Sequence, residues 1–163
     1  MAKNKEEKTN VMRVLEQKKI AYIAHTYPHE EGMAVDGVTV AKSMGFDPAI
    51  VFKTLVARGA SKQYYVFDVP VAENLDLKKA AKAVGEKSIE MIHQKELLPL
   101  TGYVHGGCSP VGMKKLFPTV FHETAENLET MIVSAGKIGY QVELAPHDLA
   151  ALVRAKFADI IVE

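Results

Sequence analysis

Lys53 sits in the middle of AIVFKTLVA, residues 49–57, and its setting asks for a chemical explanation. A run of apolar, β-branched and aromatic residues reads as a strand with both faces at least partly covered. Alternation puts Val51, Lys53, Leu55 and Ala57 on one face and Ile50, Phe52, Thr54 and Val56 on the other. An ammonium among three apolar neighbours has two readings. Either it snorkels to a wet rim with its stem packed, or it stands at the mouth of a pocket as a phosphate anchor or charge stabiliser.

The second candidate is HGGCSPVG at 105–112. Its two glycines let the backbone approach a ligand, and their N–H groups could converge on a carbonyl oxygen or phosphate. The same residues also read as a tight turn at a strand end. A nucleophile elbow is excluded, because Val111 stands where the second glycine of G-x-S-x-G belongs and Pro110 follows Ser109 directly. No G-K-[ST] follows a glycine-rich turn, so there is no P-loop. His105 lies three residues from Cys108, and a Cys–His pair can make a nucleophile. Nothing in the local pattern makes the two side chains meet, and Cys108 reads as a small buried hydrophobe.

The remaining titratable residues point to less. Pro28 breaks the helix that metal ligation by His25 and His29 would need, and with one cysteine no closed metal site and no cofactor are expected. The carboxylates show no pairing that singles out a general acid and base. Lysines 78, 79, 82, 87, 114 and 115 read as an exposed face, or as a phosphate-binding patch.

These residues need a framework to position them. Thr9 or Asn10 can cap a first helix carrying Val11, Val14 and Leu15, and a strand is expected at 21–26. Pro28 and the EEG at 30–32 form a loop, after which Asp36 caps a second helix stopped by Gly45. AIVFKTLVA and YYVFDVPV at 64–71 form an antiparallel hairpin. Asp76 opens a third helix that stops at Gly85, and SIEMI at 88–92 is a short strand. Residues 102–112 run strand into glycine turn, and strands follow at 119–122, 130–136 and 139–144. Pro146 starts a last helix through about Lys156. Hairpin-linked strands with scattered helices fit neither a doubly wound sheet nor a β-sandwich. The expectation is an α+β fold with a curved, barrel-like mixed sheet flanked by helices, as a single domain over 1–163.

The totals set outer limits. Lys+Arg and Asp+Glu both number 20, so no global field draws the chain to DNA or a membrane, and a polyanion would need a local basic patch. One cysteine excludes an internal disulfide and favours a reducing compartment. The polar start, MAKNKEEKTN, lacks the apolar core of a signal peptide, and no run is long enough to span a membrane. The expected address is cytoplasmic.

Six segments together resemble the YbaK/EbsC family. They are HTY at 25–27, VFKTL at 51–55, LDLKKAAKAVG at 75–85, TGYVHGGCSPVG at 101–112, VSAGKIG at 133–139 and AKFADI at 155–160. Order and spacing hold from about residue 9 to residue 160. The resemblance implies a trans-editing hydrolase that removes cysteine from mischarged Cys-tRNA(Pro), related to the editing domain inserted in bacterial prolyl-tRNA synthetases. It implies the acceptor end of aminoacyl-tRNA as partner, with prolyl-tRNA synthetase as a candidate second partner. The family's signature lysine falls on Lys53, and its GxxxP turn on Gly106 and Pro110, with backbone amides of that turn facing the scissile ester carbonyl. Lys53 and Gly106 are thereby the catalytic candidates. Tyr27, Thr54, Gly107, Pro110, Ser134 and Gln141 are the substrate-binding ones, although alternation puts Thr54 on the strand face opposite Lys53. Two departures stand out: Gln141 replaces an aspartate of close relatives, and Cys108 replaces an apolar residue. Family chemistry offers attack by the substrate's own thiol, releasing a cyclic thiolactone, with water attack as the competing route. Two other functions stay open, namely deacylation of another substrate such as Ala-tRNA(Pro), and a non-catalytic tRNA- or synthetase-binding adaptor.

Overall fold

The computed structural model describes residues 8–29, 33 and 35–163. Helix α1 (Asn10–Gln17) starts where the Thr9 hydroxyl accepts the Met12 N–H at 3.2 Å, and it buries Val11, Met12 and Leu15. Strand β1 (Ile23–Thr26) precedes α2 (Gly37–Ser43), whose first turn is capped by Asp36 on the Thr39 N–H at 3.1 Å. The loop expected at 30–32 lies outside the described residues. β2 (Phe52–Gly59) and β3 (Tyr64–Pro70) make the expected antiparallel hairpin, with Thr54 opposite Asp68. Asp76 caps α3 (Leu77–Val84), which ends on the left-handed Gly85 with φ 75°. Then come β4 (Ile89–Met91), α4 (Gln94–Thr101), β5 (Thr119–His122), β6 (Met131–Ser134), β7 (Tyr140–Leu144), α5 (Pro146–Val153) and β8 (Lys156–Ala158).

The fold is mixed α+β, with its strands divided between two sheets that do not close into a barrel. β1, β7 and β6 form an antiparallel sheet in that order. The second sheet runs β4-β2-β3-β5-β8, parallel at β3–β5 and β5–β8 and antiparallel elsewhere. A parallel bridge between Val51 and Ile132 joins the two. One face of the larger sheet packs Ala57, Phe67, Val69 and Val120 against Ala80 and Ala81 of α3. The other face turns Phe52 and Phe121 toward the smaller sheet, α1 and α5, where Val11, Leu15, Met131, Val142 and Leu149 complete the core. A fully buried phenylalanine such as Phe67 or Phe121 contributes roughly 3 kcal/mol.

Three expectations change. Residues 102–112 form no strand, because Gly102, Gly106 and Gly112 take φ of 88°, 89° and 79°, and the Tyr103 hydroxyl folds the segment on itself by donating to Val111 O at 2.5 Å. Helix α4 carries Pro99 inside it and only a weak apolar face, so periodicity does not announce it. Helix α5 stops at Val153 rather than Lys156, with Arg154 left-handed at φ 59°, and Lys156 starts β8 instead.

Candidate functional site

β2 is paired along one side with β3, but along the other only with β4 at Ala57–Gly59 and, just before the strand, with β6 through Val51. Residues 52–55 therefore have an open edge. Strand backbone groups alternate in direction. Val51 O accepts from Val71 N and Gly59 N donates to Gln63 O, both toward β3, whereas Val56 O accepts from Ile92 N on the far side. By the same alternation the Thr54 backbone faces the open edge.

A cavity of about 420 Å³ lies along it, within the usual range for a small-molecule site. β2 supplies Lys53, Thr54 and Leu55, and Tyr27 follows from the end of β1. Ser134 closes β6, and Tyr140 and Gln141 open β7. The loop after α4 adds His105, Gly106 and Cys108, and Asp36 and Val40 come from α2 and its cap. Because the edge is open, residues of both strand faces line one space. Alternation therefore does not separate Lys53 from Thr54.

Burial pushes the Lys53 ammonium below the usual lysine range, and the carboxylates of Asp36 and Glu73 pull it part of the way back. Among the described residues no ion pair or hydrogen bond ties it down. Its charge is thus presented to the cavity. Gln141 is 7% exposed, and its Oε1 has no partner among the described residues. Gln141 lines the cavity, and a buried acceptor left without a partner beside it suits a donor brought by a ligand. Ser134 Oγ accepts the Gly136 N–H at 3.1 Å, and the Tyr27 N–H donates to Gly139 O at 2.9 Å, which ties β1 to the β6–β7 turn.

The glycine turn works differently from its expected form. The Gly107 N–H donates to Val104 O at 2.9 Å, so the two glycine amides do not converge. The amides on either side, of Gly106 and Cys108, have no acceptor among the described residues, and both residues line the cavity. Gly107 and Pro110 do not line it. Gly107 serves packing, since a Cβ there would stand 3.1 Å from Ile138 N and 3.3 Å from the Lys137 backbone. Pro110 is buried beside Ser109, whose Oγ accepts the Val111 N–H at 3.2 Å. No hydrogen bond joins Cys108 to His105, and burial pushes the Cys108 thiol up to about 12, where it carries no thiolate at neutral pH.

Other candidates are engaged elsewhere. His25 Nε2 lies 2.8 Å from Glu143 Oε1 across the β1–β7 pair, and Glu143 also accepts from Thr130. Lys79 is held by Asp159 and by Ile161 O, both at 2.9 Å, which removes it from a phosphate patch. Lys114 reaches Pro99 O on α4 at 3.3 Å, while Lys78 and Lys82 stay exposed on α3. Among the described residues no three histidine, cysteine or carboxylate side chains cluster in a way that could hold a metal ion.

One residue escaped the sequence reading altogether. Asp68 is fully buried on β3, and its Oδ1 accepts the Thr54 hydroxyl at 2.5 Å while Oδ2 has no partner among the described residues. Burial pushes its carboxyl up to about 7, against a smaller downward pull from the Thr54 bond. The available signal was its place in YYVFDVPV, where a carboxylate interrupts an apolar strand opposite Thr54 in hairpin register.

Taken with this geometry, a family model for the aminoacyl-tRNA editing domain matches residues 29–152, and the chain belongs to that family. A relative from Enterococcus faecalis, named "Putative Cys-tRNA(Pro)/Cys-tRNA(Cys) deacylase EbsC", is 46% identical over 161 residues, covering 98% of each chain. Among solved structures, one described as "a putative trans-editing enzyme for prolyl tRNA synthetase" superimposes with a TM-score of 0.79 at 25% identity, covering 94% of this chain and 95% of the other. A second, of a hypothetical protein, matches the fold alone, with a TM-score of 0.82 at 18% identity over 93% of this chain and 99% of that one.

Proposed function

We propose that this protein is a single-domain aminoacyl-tRNA deacylase that acts in trans and removes cysteine from mischarged Cys-tRNA(Pro). The observation that carries this reading is the Lys53 ammonium, unpaired among the described residues, in a cavity that also holds the unengaged amides of Gly106 and Cys108. An ester cleavage needs negative charge stabilised where it develops, and positive charge with backbone donors supplies that without a metal ligand set. The family membership and the name of the Enterococcus relative support the substrate class. Editing also answers a physical limit: cysteine and proline are close in size, so a synthetase pocket separates them by only roughly 1–3 kcal/mol and a second sieve is needed.

In this reading Lys53 grips a phosphate or hydroxyl at the tRNA 3′ end and holds it against the turn. The Gly106 and Cys108 amides face the ester oxygen as it becomes an oxyanion. Gln141 Oε1 accepts from the α-ammonium of the aminoacyl group, and Tyr27 and Ser134 shape the wall behind it. The substrate's own thiol attacks its carbonyl carbon, the bond to the ribose oxygen breaks, and a cyclic thiolactone leaves. Cys108, neutral and buried, packs beside the site and takes no covalent part. The protein works in the cytoplasm, with prolyl-tRNA synthetase as the source of its substrate. Among the described residues no helix is long and apolar enough to cross a membrane.

Lys53→Ala tests the assignment. The expected result is a loss of about 100-fold or more in deacylation of Cys-tRNA(Pro), with the melting temperature unchanged or raised, because a half-buried charge has been removed. Deacylation at the wild-type rate would remove Lys53 from the site.

A further inference from the structure

Ester cleavage by a thiol or by water releases a proton that something must take. Asp36 and His105 also line the cavity, but among the described residues neither is hydrogen-bonded to Lys53 or to the Gly106 turn, and Asp36 is engaged by the Thr39 N–H and hydroxyl. Behind that wall lies the Thr54–Asp68 pair. Thr54 lines the cavity on the open edge of β2, and its hydroxyl is 2.5 Å from Asp68 Oδ1. Asp68 has no access to solvent and cannot touch a substrate. Thr54 is its hydrogen-bonded link to the cavity.

We propose that Asp68, acting through the Thr54 hydroxyl, takes up the proton of the attacking nucleophile during ester cleavage. The inference rests on the deacylase reading above. With Asp68 ionised, Thr54 donates to Oδ1 and turns its lone pairs toward the cavity. As the substrate sulfur, or a water oxygen, bonds to the carbonyl carbon, its proton passes to Thr54 Oγ1 and the Thr54 proton passes to Asp68 Oδ1. When the bond from carbon to the ribose oxygen breaks, the proton returns by the same path to the leaving oxygen. Each atom balances and no co-reactant is needed.

The surroundings of Asp68 suit the role. Facing it are Thr54 from β2, Phe121 from β5 and the Cys108 thiol from the loop. Of these only the thiol titrates, and burial keeps it neutral at physiological pH. Among the described residues no charged side chain acts on Asp68, so its proton affinity is set by burial and by Thr54. Burial raises that affinity to about 7, close to the working pH, where proton transfer is most effective. Protonation also relieves a carboxylate that has one oxygen unpartnered.

The experiment is the pH dependence of kcat/KM on Cys-tRNA(Pro) for the wild type, Asp68→Asn, Thr54→Val and Thr54→Ser, with melting temperatures alongside. The wild type should rise through an inflection near pH 7. Asp68→Asn and Thr54→Val should each fall by about 100-fold and lose that inflection, and Thr54→Ser, which keeps the hydroxyl, should stay within about tenfold. Should Asp68→Asn fail to fold, the comparison of the two Thr54 variants decides the question alone. An inflection that survives in a folded Asp68→Asn, or Thr54→Val matching Thr54→Ser, overturns the relay. A wild type that cleaves no aminoacyl-tRNA fails the deacylase reading instead.

Discussion

Asp68 and Lys53 are opposite cases of a charge moved out of water. Lys53 is half-buried at a cavity, so its cost falls as a ligand anion arrives; Asp68 is sealed in and can relieve its cost only by taking a proton. This gives a signature in stability. Burial raises the Asp68 carboxyl from an ordinary 3.8 to about 7, so between those values the folded state holds a proton that the unfolded chain has lost. Stability from this group is complete below about pH 4 and declines as pH rises through about 7, by up to roughly 4 kcal/mol. Asp68→Asn should remove that slope and be the more stable protein at pH 8, as urea titrations at pH 5 and pH 8 would show. Equal slopes in both proteins would mean that water or a partner relieves Asp68. Of these two residues, only Lys53 was legible beforehand, since a lysine within an apolar run is visible in a single strand. Asp68 matters because of its partner across the hairpin, and that becomes visible only when register pairs it with Thr54.

At the scale of elements, caps and stops were the most readable features, because a cap's cause is local. Thr9, Asp36 and Asp76 start their helices through contacts within three residues, and Gly85 ends one by its own left-handed backbone. Helix α4 and the loop that follows were not readable, since Pro99 and three left-handed glycines follow no period. The pocket's location was hidden for a different reason. It depends on where β2 lacks a neighbour, and strand alternation says nothing of which edge is unpaired. That is why Thr54 joins Lys53 despite pointing to the other face, and why Gly107 and Pro110, grouped with the site by motif, stand outside its lining. Gly107 instead lets the loop seat against the turn between β6 and β7. Gly107→Ala should press a methyl onto the Lys137 and Ile138 backbone, lower stability by about 1–3 kcal/mol and depress activity with it. A variant with wild-type melting temperature and turnover would show that the two loops are free to part.

For the whole molecule, equal numbers of acidic and basic residues mean that tRNA is not captured by a general field. Under the proposed function, recognition would fall to the acceptor end in the cavity, where Lys53 stands. The two-sheet arrangement frames that cavity, with β2 belonging to one sheet and the residue before it, Val51, bridging to the other. Under the proposed function, substrate choice is a matter of pocket chemistry, in which Gln141 would accept from the amino acid and a thiol would be needed for attack. The most direct measurement is release of labelled amino acid from Cys-tRNA(Pro), with Ala-tRNA(Pro) and Pro-tRNA(Pro) in parallel. Rapid loss from the cysteinyl substrate alone is the expected result. Loss from the alanyl substrate instead would contradict the cysteine assignment and thiol attack, and loss from none of the three would contradict the enzyme itself and leave a tRNA-binding adaptor.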